Sequence, residues 1–310
     1  MELYYEKLQA NITPETLAQL KHNKIILEST SQEKLKGRYS IVVFDSYGTV
    51  TLDNKCLQII TQQKKETITE QPYQYLKEFV NRYYDDIEDQ TLQELPFISG
   101  FIGSCSFDLV RHEFPVLKQM ELEDHPQHDV NFYMIEDVYV FDHYKDELYI
   151  ISTNLFSQVK RDVLIQRVKE RIEQLKTIQV YQPKVTFQVQ DKEIEANVSE
   201  QHFMNIVSDF KKKITEGDMF QVVPSRIYKY KHHFNNQLQT LSFQLYQNLK
   251  RQNPSPYMYY INMNQPIIIG SSPESFVKVH NGRVVTNPIA GTIQRGQTPE
   301  EDLSLIHISE

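Results

Sequence analysis

Ser275-Phe276-Val277-Lys278-Val279-His280-Asn281-Gly282-Arg283-Val284-Val285-Thr286 reads as a β-hairpin. Residues 275–280 and 283–286 form strand runs. Asn281-Gly282 between them is the pair that a type I′ turn selects, because both central residues need positive φ. Working outward, residues 266–270, 256–263 and 220–230 are further strand runs, and residues 238–251 form a helix between the last two. Upstream of these, Ser199 is a good N-cap. Phe203, Ile206, Val207, Phe210 and Ile214 make one apolar face, and Gly217 is a natural stop. Hairpin-linked strands mixed with helices in this way predict an α+β fold, mainly antiparallel sheets with flanking helices.

The first half alternates short strand runs with polar turns. Residues 25–28, 40–45, 97–106, 138–142 and 147–152 read as strands, with 141–147 as the hairpin connection of the last two. Residues 72–84 read as a helix with Tyr75, Phe79 and Tyr83 on one face. Residues 155–175 carry a stripe of Val159, Val163, Ile165, Val168, Ile172 and Leu175. The polar stretch 176–198, which contains Pro183, is the natural junction between a region 1–180 and a region 181–302. Residues 303–310 form a tail of different character.

Composition narrows the classes. The 310 residues hold 33 Lys and Arg against 41 Asp and Glu, a net charge of −8, which does not suit a coat for nucleic acid. No apolar run approaches the ~20 residues of a membrane span. Met1 to Ala10 includes Glu2, Glu6 and Lys7 and lacks an apolar signal core, so the expected location is the cytoplasm. The two cysteines, Cys56 and Cys105, are too few for a disulfide scaffold. Neither Cys-x-x-Cys nor His-Glu-x-x-His occurs, which argues against zinc. There is no tryptophan, but 19 Tyr and 16 Phe supply aromatic bulk for a core.

Four segments are candidates for chemistry. In Gly217-Asp218-Met219-Phe220-Gln221-Val222-Val223, Gln221 would point from a strand; a buried amide there is either a structural linchpin or aimed at a ligand. In Ser271-Ser272-Pro273-Glu274, Glu274 is either a surface turn glutamate or a partly desolvated general acid. Asn287-Pro288-Ile289-Ala290-Gly291-Thr292-Ile293-Gln294-Arg295-Gly296 is a loop in which Gly291 would let backbone N–H groups and the Thr292 hydroxyl approach a ligand. Asn253-Pro254-Ser255-Pro256-Tyr257-Met258-Tyr259-Tyr260 is either an ordinary core strand or an aromatic and thioether surface for a planar ligand. His232-His233 would point to opposite faces of a strand and are read as exposed rather than metal-ligating.

Together these segments resemble the anthranilate synthase large-subunit group (component I) of the chorismate-utilising enzyme family. Leu27-Glu28-Ser29, Gly37-Arg38-Tyr39-Ser40 and Phe107-Asp108-Leu109-Val110-Arg111 add to the resemblance in the order expected. It implies a lyase that converts chorismate and ammonia to anthranilate and pyruvate, the first step of tryptophan biosynthesis. It further implies Mg²⁺ as cofactor and a glutamine amidotransferase subunit as the source of ammonia. By resemblance Glu274 assists loss of the 4-hydroxyl, and Gly291 and Thr292 contact the substrate. Relatives that add water carry a lysine base where this chain has Gln221. Relatives that make 4-amino-4-deoxychorismate carry a nucleophilic lysine where it has Ala290.

The resemblance also implies that residues 1–180 are a regulatory region and 181–302 the first part of the chorismate-binding domain. L-tryptophan would bind as feedback inhibitor between Glu28 and Ser29 on one side and Pro256, Tyr257 and Met258 on the other. The family's metal-binding glutamates and catalytic histidine are expected beyond Gly296, and no residue here is assigned to them; His307 has the wrong flanks. The chain therefore reads as C-terminally truncated and catalytically incomplete. The alternatives are a 4-amino-4-deoxychorismate synthase-like or isochorismate-type enzyme, or a non-catalytic tryptophan-binding module.

Overall fold

The structure, a computed structural model, describes residues 1–29, 37–53, 55–83, 89–114, 116–117, 128–178, 194–263, 266–280, 282–288 and 296–301. In chain order the first elements are β1 (Leu3–Gln9), α1 (Pro14–Leu17), β2 (Lys24–Glu28), β3 (Tyr39–Val43), β4 (Gly48–Leu52), β5 (Leu57–Thr61), β6 (Lys65–Ile68), α2 (Pro72–Asn81) and α3 (Gln90–Gln93). Then come β7 (Gly100–Cys105), α4 (Val110–Glu113), β8 (Val130–Ile135), β9 (Asp137–Asp142), β10 (Glu147–Thr153) and α5 (Arg161–Leu175). The remainder is β11 (Ile194–Ala196), α6 (Glu200–Glu216), β12 (Tyr228–Tyr230), α7 (Leu238–Gln252), β13 (Tyr257–Asn262), β14 (Ile268–Ser272), β15 (Lys278–His280) and β16 (Arg283–Val285). The fold is α+β with antiparallel sheets, as expected. The chain forms two compact units, one of Met1–Tyr181 with Ser242–Glu310 and one of Gln182–Leu241.

The first unit is built on a seven-stranded sheet in the order β1-β10-β9-β3-β2-β13-β14 and a five-stranded sheet in the order β6-β5-β4-β8-β7. Ile25, Ile41, Val43, Val138, Val140 and Ile151 of the larger sheet share one apolar core with Ile102, Tyr133 and Ile135 of the smaller. The other face of the smaller sheet buries Val50, Leu57 and Met134 with Leu76 and Phe79 of α2. The other face of the larger sheet is covered twice. Val168 of α5 packs on Val42, Phe141 and Ile150, and Phe243 and Tyr246 of α7 pack on Ile26, Met258 and Tyr260. Strands buried on both faces are apolar throughout, as in Val138–Phe141, and are therefore legible as uninterrupted apolar runs.

The larger sheet takes in the C-terminal third of the chain. β13 pairs antiparallel with β2, setting Met258 opposite Glu28, Tyr260 opposite Ile26 and Asn262 opposite Lys24. β14 then pairs with β13. Tyr259 lies over Gly270, where any Cβ would collide with the ring. The hairpin β15–β16 forms as the sequence predicts, and Gly282 has φ of 72°; Asn281 lies outside the described residues.

In the second unit, the Ser199 hydroxyl caps α6 by accepting from the His202 N–H, and Gly217 ends it at φ of 85°. The strand expected over 220–230 is present only at Tyr228–Tyr230, paired with β11. Residues 221–227 lie outside regular structure. Just ahead of β12 the chain is pinned by hydrogen bonds rather than a continuing ladder. The Ile227 N–H donates to Asn197 Oδ1 at 2.9 Å and Arg226 Nε to the Val198 carbonyl at 2.8 Å. An apolar run without a partner strand does not become a strand.

Lys24 is a cost within this fold. It is buried, with Nζ 2.5 Å from the Ala18 carbonyl and 4.3 Å from the centre of the Phe243 ring. Burial pushes its ammonium down to about 8, so folding disfavours the charged form relative to the unfolded chain. Below pH 8 the folded chain must hold a buried charge that the unfolded chain solvates. That penalty disappears as pH rises from about 8 to the unfolded value near ~10.4. Lys24→Met removes the penalty. The variant is expected to exceed the wild type in urea stability at pH 7 by up to ~3 kcal/mol and to lose that lead by pH 10.5. A constant difference across that window contradicts the account.

Candidate functional site

A buried polar group in the first unit surrounds Glu28. Glu28 ends β2 on the same face as Ile26, with Met258 beside it on β13 and Ser40 beside it on β3. Tyr246 and Lys250 stand one turn apart on α7, so both reach the same point. The Tyr246 hydroxyl donates to Glu28 Oε2, and Lys250 Nζ donates to Glu28 Oε1 at 2.8 Å. Lys250 also holds Glu15, in the first turn of α1, at 2.5 Å. Two carboxylates thus share one ammonium. Taken by itself the group carries one net negative charge in a largely dry place.

Its electrostatics follow from that imbalance. Burial, with the neighbouring Glu15 charge adding to it, raises the Glu28 carboxyl above its ordinary value. Glu15 is also pushed up by burial, but the Lys250 ammonium outweighs this and leaves it lowered. Burial likewise lifts the Tyr246 hydroxyl, so it stays protonated as a donor. A second ammonium brought to Glu28 would neutralise the surplus charge.

Of the residues expected to bind an inhibitor, Glu28 and Met258 are brought side by side. Ser29 follows directly, against Gly37, whose missing side chain makes room for it. Met258 is wholly packed into the core with Phe243, Tyr246 and Tyr260. Tyr257 does not join it. Neighbouring residues of a strand point to opposite faces, and Tyr257 is 46% exposed where Met258 is 1%. Pro256 is exposed at the start of the strand.

The residues expected to act on substrate sit differently. Glu274 is exposed, in the turn after β14, and the Ser272 hydroxyl donates to its carbonyl at 3.1 Å. The Ser271 hydroxyl ties the same segment back to the Asn253 carbonyl and to the Ser255 hydroxyl. Gln221, read from its sequence as a strand residue, belongs to the irregular segment and is exposed, so the structure removes the premise of a buried amide. Ala290, Gly291 and Thr292 lie outside the described residues, as does His307. His232 is exposed, as expected. Among the described residues no group of three or more His, Cys, Asp or Glu converges on a metal position.

The sequence reading passed over Glu15, Tyr246 and Lys250. The available signal was the spacing of Tyr246 and Lys250 on the apolar stripe of a helix. A charged residue on that stripe, at the end of an amphipathic face, must find a buried partner.

The comparisons agree in direction. A family model described as chorismate binding enzyme matches residues 22–307. Anthranilate synthase component 1 of Lactococcus lactis is 34% identical over 92% of this chain and 59% of its own length. Aminodeoxychorismate synthase component 1 of Bacillus subtilis is 32% identical over 94% of this chain and 59% of its own. The crystal structure of anthranilate synthase component I from Streptococcus pneumoniae superposes with a TM-score of 0.65 at 26% identity, covering 89% of this chain and 59% of that one. The chain thus spans a little under three fifths of the length of these relatives.

Lys250→Met leaves Glu28 buried without its cation. The expected loss of unfolding stability at pH 7 is about 3–5 kcal/mol. The loss should shrink as pH falls toward 4, where a carboxyl of raised pKa is already protonated. Urea titrations at the two pH values test this; a loss below about 0.5 kcal/mol, or one that grows on acidification, contradicts it.

Proposed function

The chain belongs to the family of chorismate binding enzymes, and on that premise we propose that it serves as the large subunit of an anthranilate synthase. Chorismate and ammonia would give anthranilate, pyruvate and water. Glu274 would protonate the departing 4-hydroxyl, ammonia would add at C2, and elimination of pyruvate would restore the aromatic ring. The observation that carries the reading is the family match across residues 22–307, taken with an amide, Gln221, where water-adding relatives keep a lysine base. Ala290 points the same way against a lysine nucleophile. Ammonia would come from an amidotransferase partner, and the setting would be the cytoplasm. A second reading, an aminodeoxychorismate synthase, is favoured by the Bacillus subtilis relative.

The Glu28 group supports feedback control by an amino acid. Its surplus negative charge suits an α-ammonium, which would share Glu28 with Lys250 or displace it, and Ser29 would add a hydrogen bond. An indole would rest at the Pro256 end of β13 rather than between Tyr257 and Met258, which face apart. Such a ligand shifts an equilibrium only if it prefers one state of the protein.

Two measurements test these readings. In a polypeptide that supplies the additional length of the relatives, chorismate with Mg²⁺ and ammonium is expected to give anthranilate fluorescence; 4-amino-4-deoxychorismate or isochorismate as product contradicts the assignment. The 310-residue chain by itself is expected to show no turnover, because Gln221 and Glu274 are both exposed rather than enclosed in a site; turnover would sink that expectation. Because the chain has no tryptophan, the emission of added L-tryptophan reports its own binding. Saturable binding weakened at least about tenfold by Glu28→Gln is expected, and binding indifferent to Glu28 overturns the inhibitor site.

A further inference from the structure

α6 (Glu200–Glu216) is the longest helix among the described residues, and none of its residues is buried. The other long helices each bury at least two: Leu76 and Phe79 of α2, Leu164 and Val168 of α5, Phe243 and Tyr246 of α7. The second unit offers α6 little cover, since none of its described residues up to 240 is buried. Yet the helix is clearly two-faced. Phe203, Val207, Phe210 and Ile214 follow one another at spacings of four, three and four residues, the spacing of a coiled-coil seam, with Ile206 at its border. Ile214 is 41% exposed, and Met204 beside the seam 49%. A helix of this length is marginal in water by itself and owes its stability to packing of its apolar face.

The seam residues say what fits them. Phe203 and Phe210 hold one of the two seam positions, and the β-branched Val207 and Ile214 hold the other. Two copies of the helix running in the same direction would set Phe against Phe and β-branched against β-branched. They would also bring the two Lys211-Lys212-Lys213 runs to one level, where like charges repel. Two copies running in opposite directions set one seam position against the other. Phe203 then meets Ile214 of the second copy and Val207 meets Phe210, so each layer joins a large ring to a smaller side chain. The lysine runs separate to opposite ends. Lys211 comes beside Met204 of the second copy, over which its stem can lie, and its ammonium points toward Glu200 one turn nearer the helix start. Lys212, on the far face, keeps its pairing with Glu216 at 3.7 Å, and the helix dipoles oppose one another.

We propose that the α6 seam is a contact between two copies of this chain, packed antiparallel about a two-fold axis that passes between Ser208 and Asp209. Size complementarity of the layers and separation of the lysine runs select the direction. One pair of 17-residue helices makes a contact at the small end of specific interfaces, so the association is weak and reversible. The inference stands on residues of the second unit alone and does not depend on the reaction proposed above.

Sedimentation equilibrium of the 310-residue chain tests it. A monomer–dimer equilibrium is expected with a Kd on the order of 10 μM. Val207→Asp, which places a charge in the seam, should weaken it at least about tenfold. Met204→Glu should instead tighten it about threefold or more at low salt, because the new carboxylate meets Lys211 of the second copy at both ends of the contact, and the gain should fade at ~1 M salt. A gain of association cannot come from loss of fold, and in a parallel pair residue 204 would have no lysine to meet. A chain that stays monomeric at about 200 μM would leave the seam to some other polypeptide and overturns the proposal. So does a dimer indifferent to Val207→Asp, or one that Met204→Glu leaves unchanged or loosens.

Discussion

The ladder between β2 and β13 is the constraint on which the first unit depends. It joins residues near the N-terminus to residues far along the chain, and it brings Glu28 to Tyr246, 218 positions later. Without that pairing α7 would have no sheet to cover, and the apolar side chains of Ile26, Met258 and Tyr260 would lose their shared core. The loop it closes is long, but loop entropy grows only logarithmically, so burial of a continuous strand outweighs it. The ion group at the end of the ladder follows from the same geometry. Lys250 can reach Glu28 and Glu15 together only because α7 lies across both strands.

This arrangement gives the two proposed sites a common backbone. Glu28 sits beside Met258, β13 pairs with β14, and β14 ends two residues before Glu274. A ligand that changed how Glu28 and Lys250 share their charge would act directly on the strand that positions the segment around Glu274. The route is short and consists of ladder hydrogen bonds rather than loops. It would be a physical reason for the proposed inhibitor site and the proposed acid, Glu274, to be served by adjoining strands.

Much of this was legible from residue patterns, and the failures have physical causes. Strands buried on both faces announce themselves, and so do helices with an apolar stripe; β9, β10, α6 and α7 are of these kinds, α6 with a capped start as well. The edge strand β1 and the smaller sheet's β4, β5 and β6 carry Thr, Gln, Glu and Lys on their outer faces, as in Gly48-Thr49-Val50-Thr51-Leu52, and do not stand out as strand runs. Gln221 was misread because strand propensity does not create a partner strand. Tyr257 and Met258 were read as one surface because a motif records adjacency in sequence, whereas a pleated strand separates neighbours. The Glu15, Tyr246 and Lys250 group was missed because nothing local in the sequence says which distant carboxylates a helix will cover.

The central claim, that residues 257–272 are structural members of a sheet begun near the N-terminus, is most directly tested by native-state hydrogen exchange. The ladder amides of β2 and β13 should exchange together, through the same high-energy opening, because neither strand can leave without breaking the core they share. Exchange of the β13 amides at markedly lower free energy than those of β2 and β3 would show the C-terminal segment to be a separate unit resting on a self-sufficient N-terminal sheet, and would contradict the account.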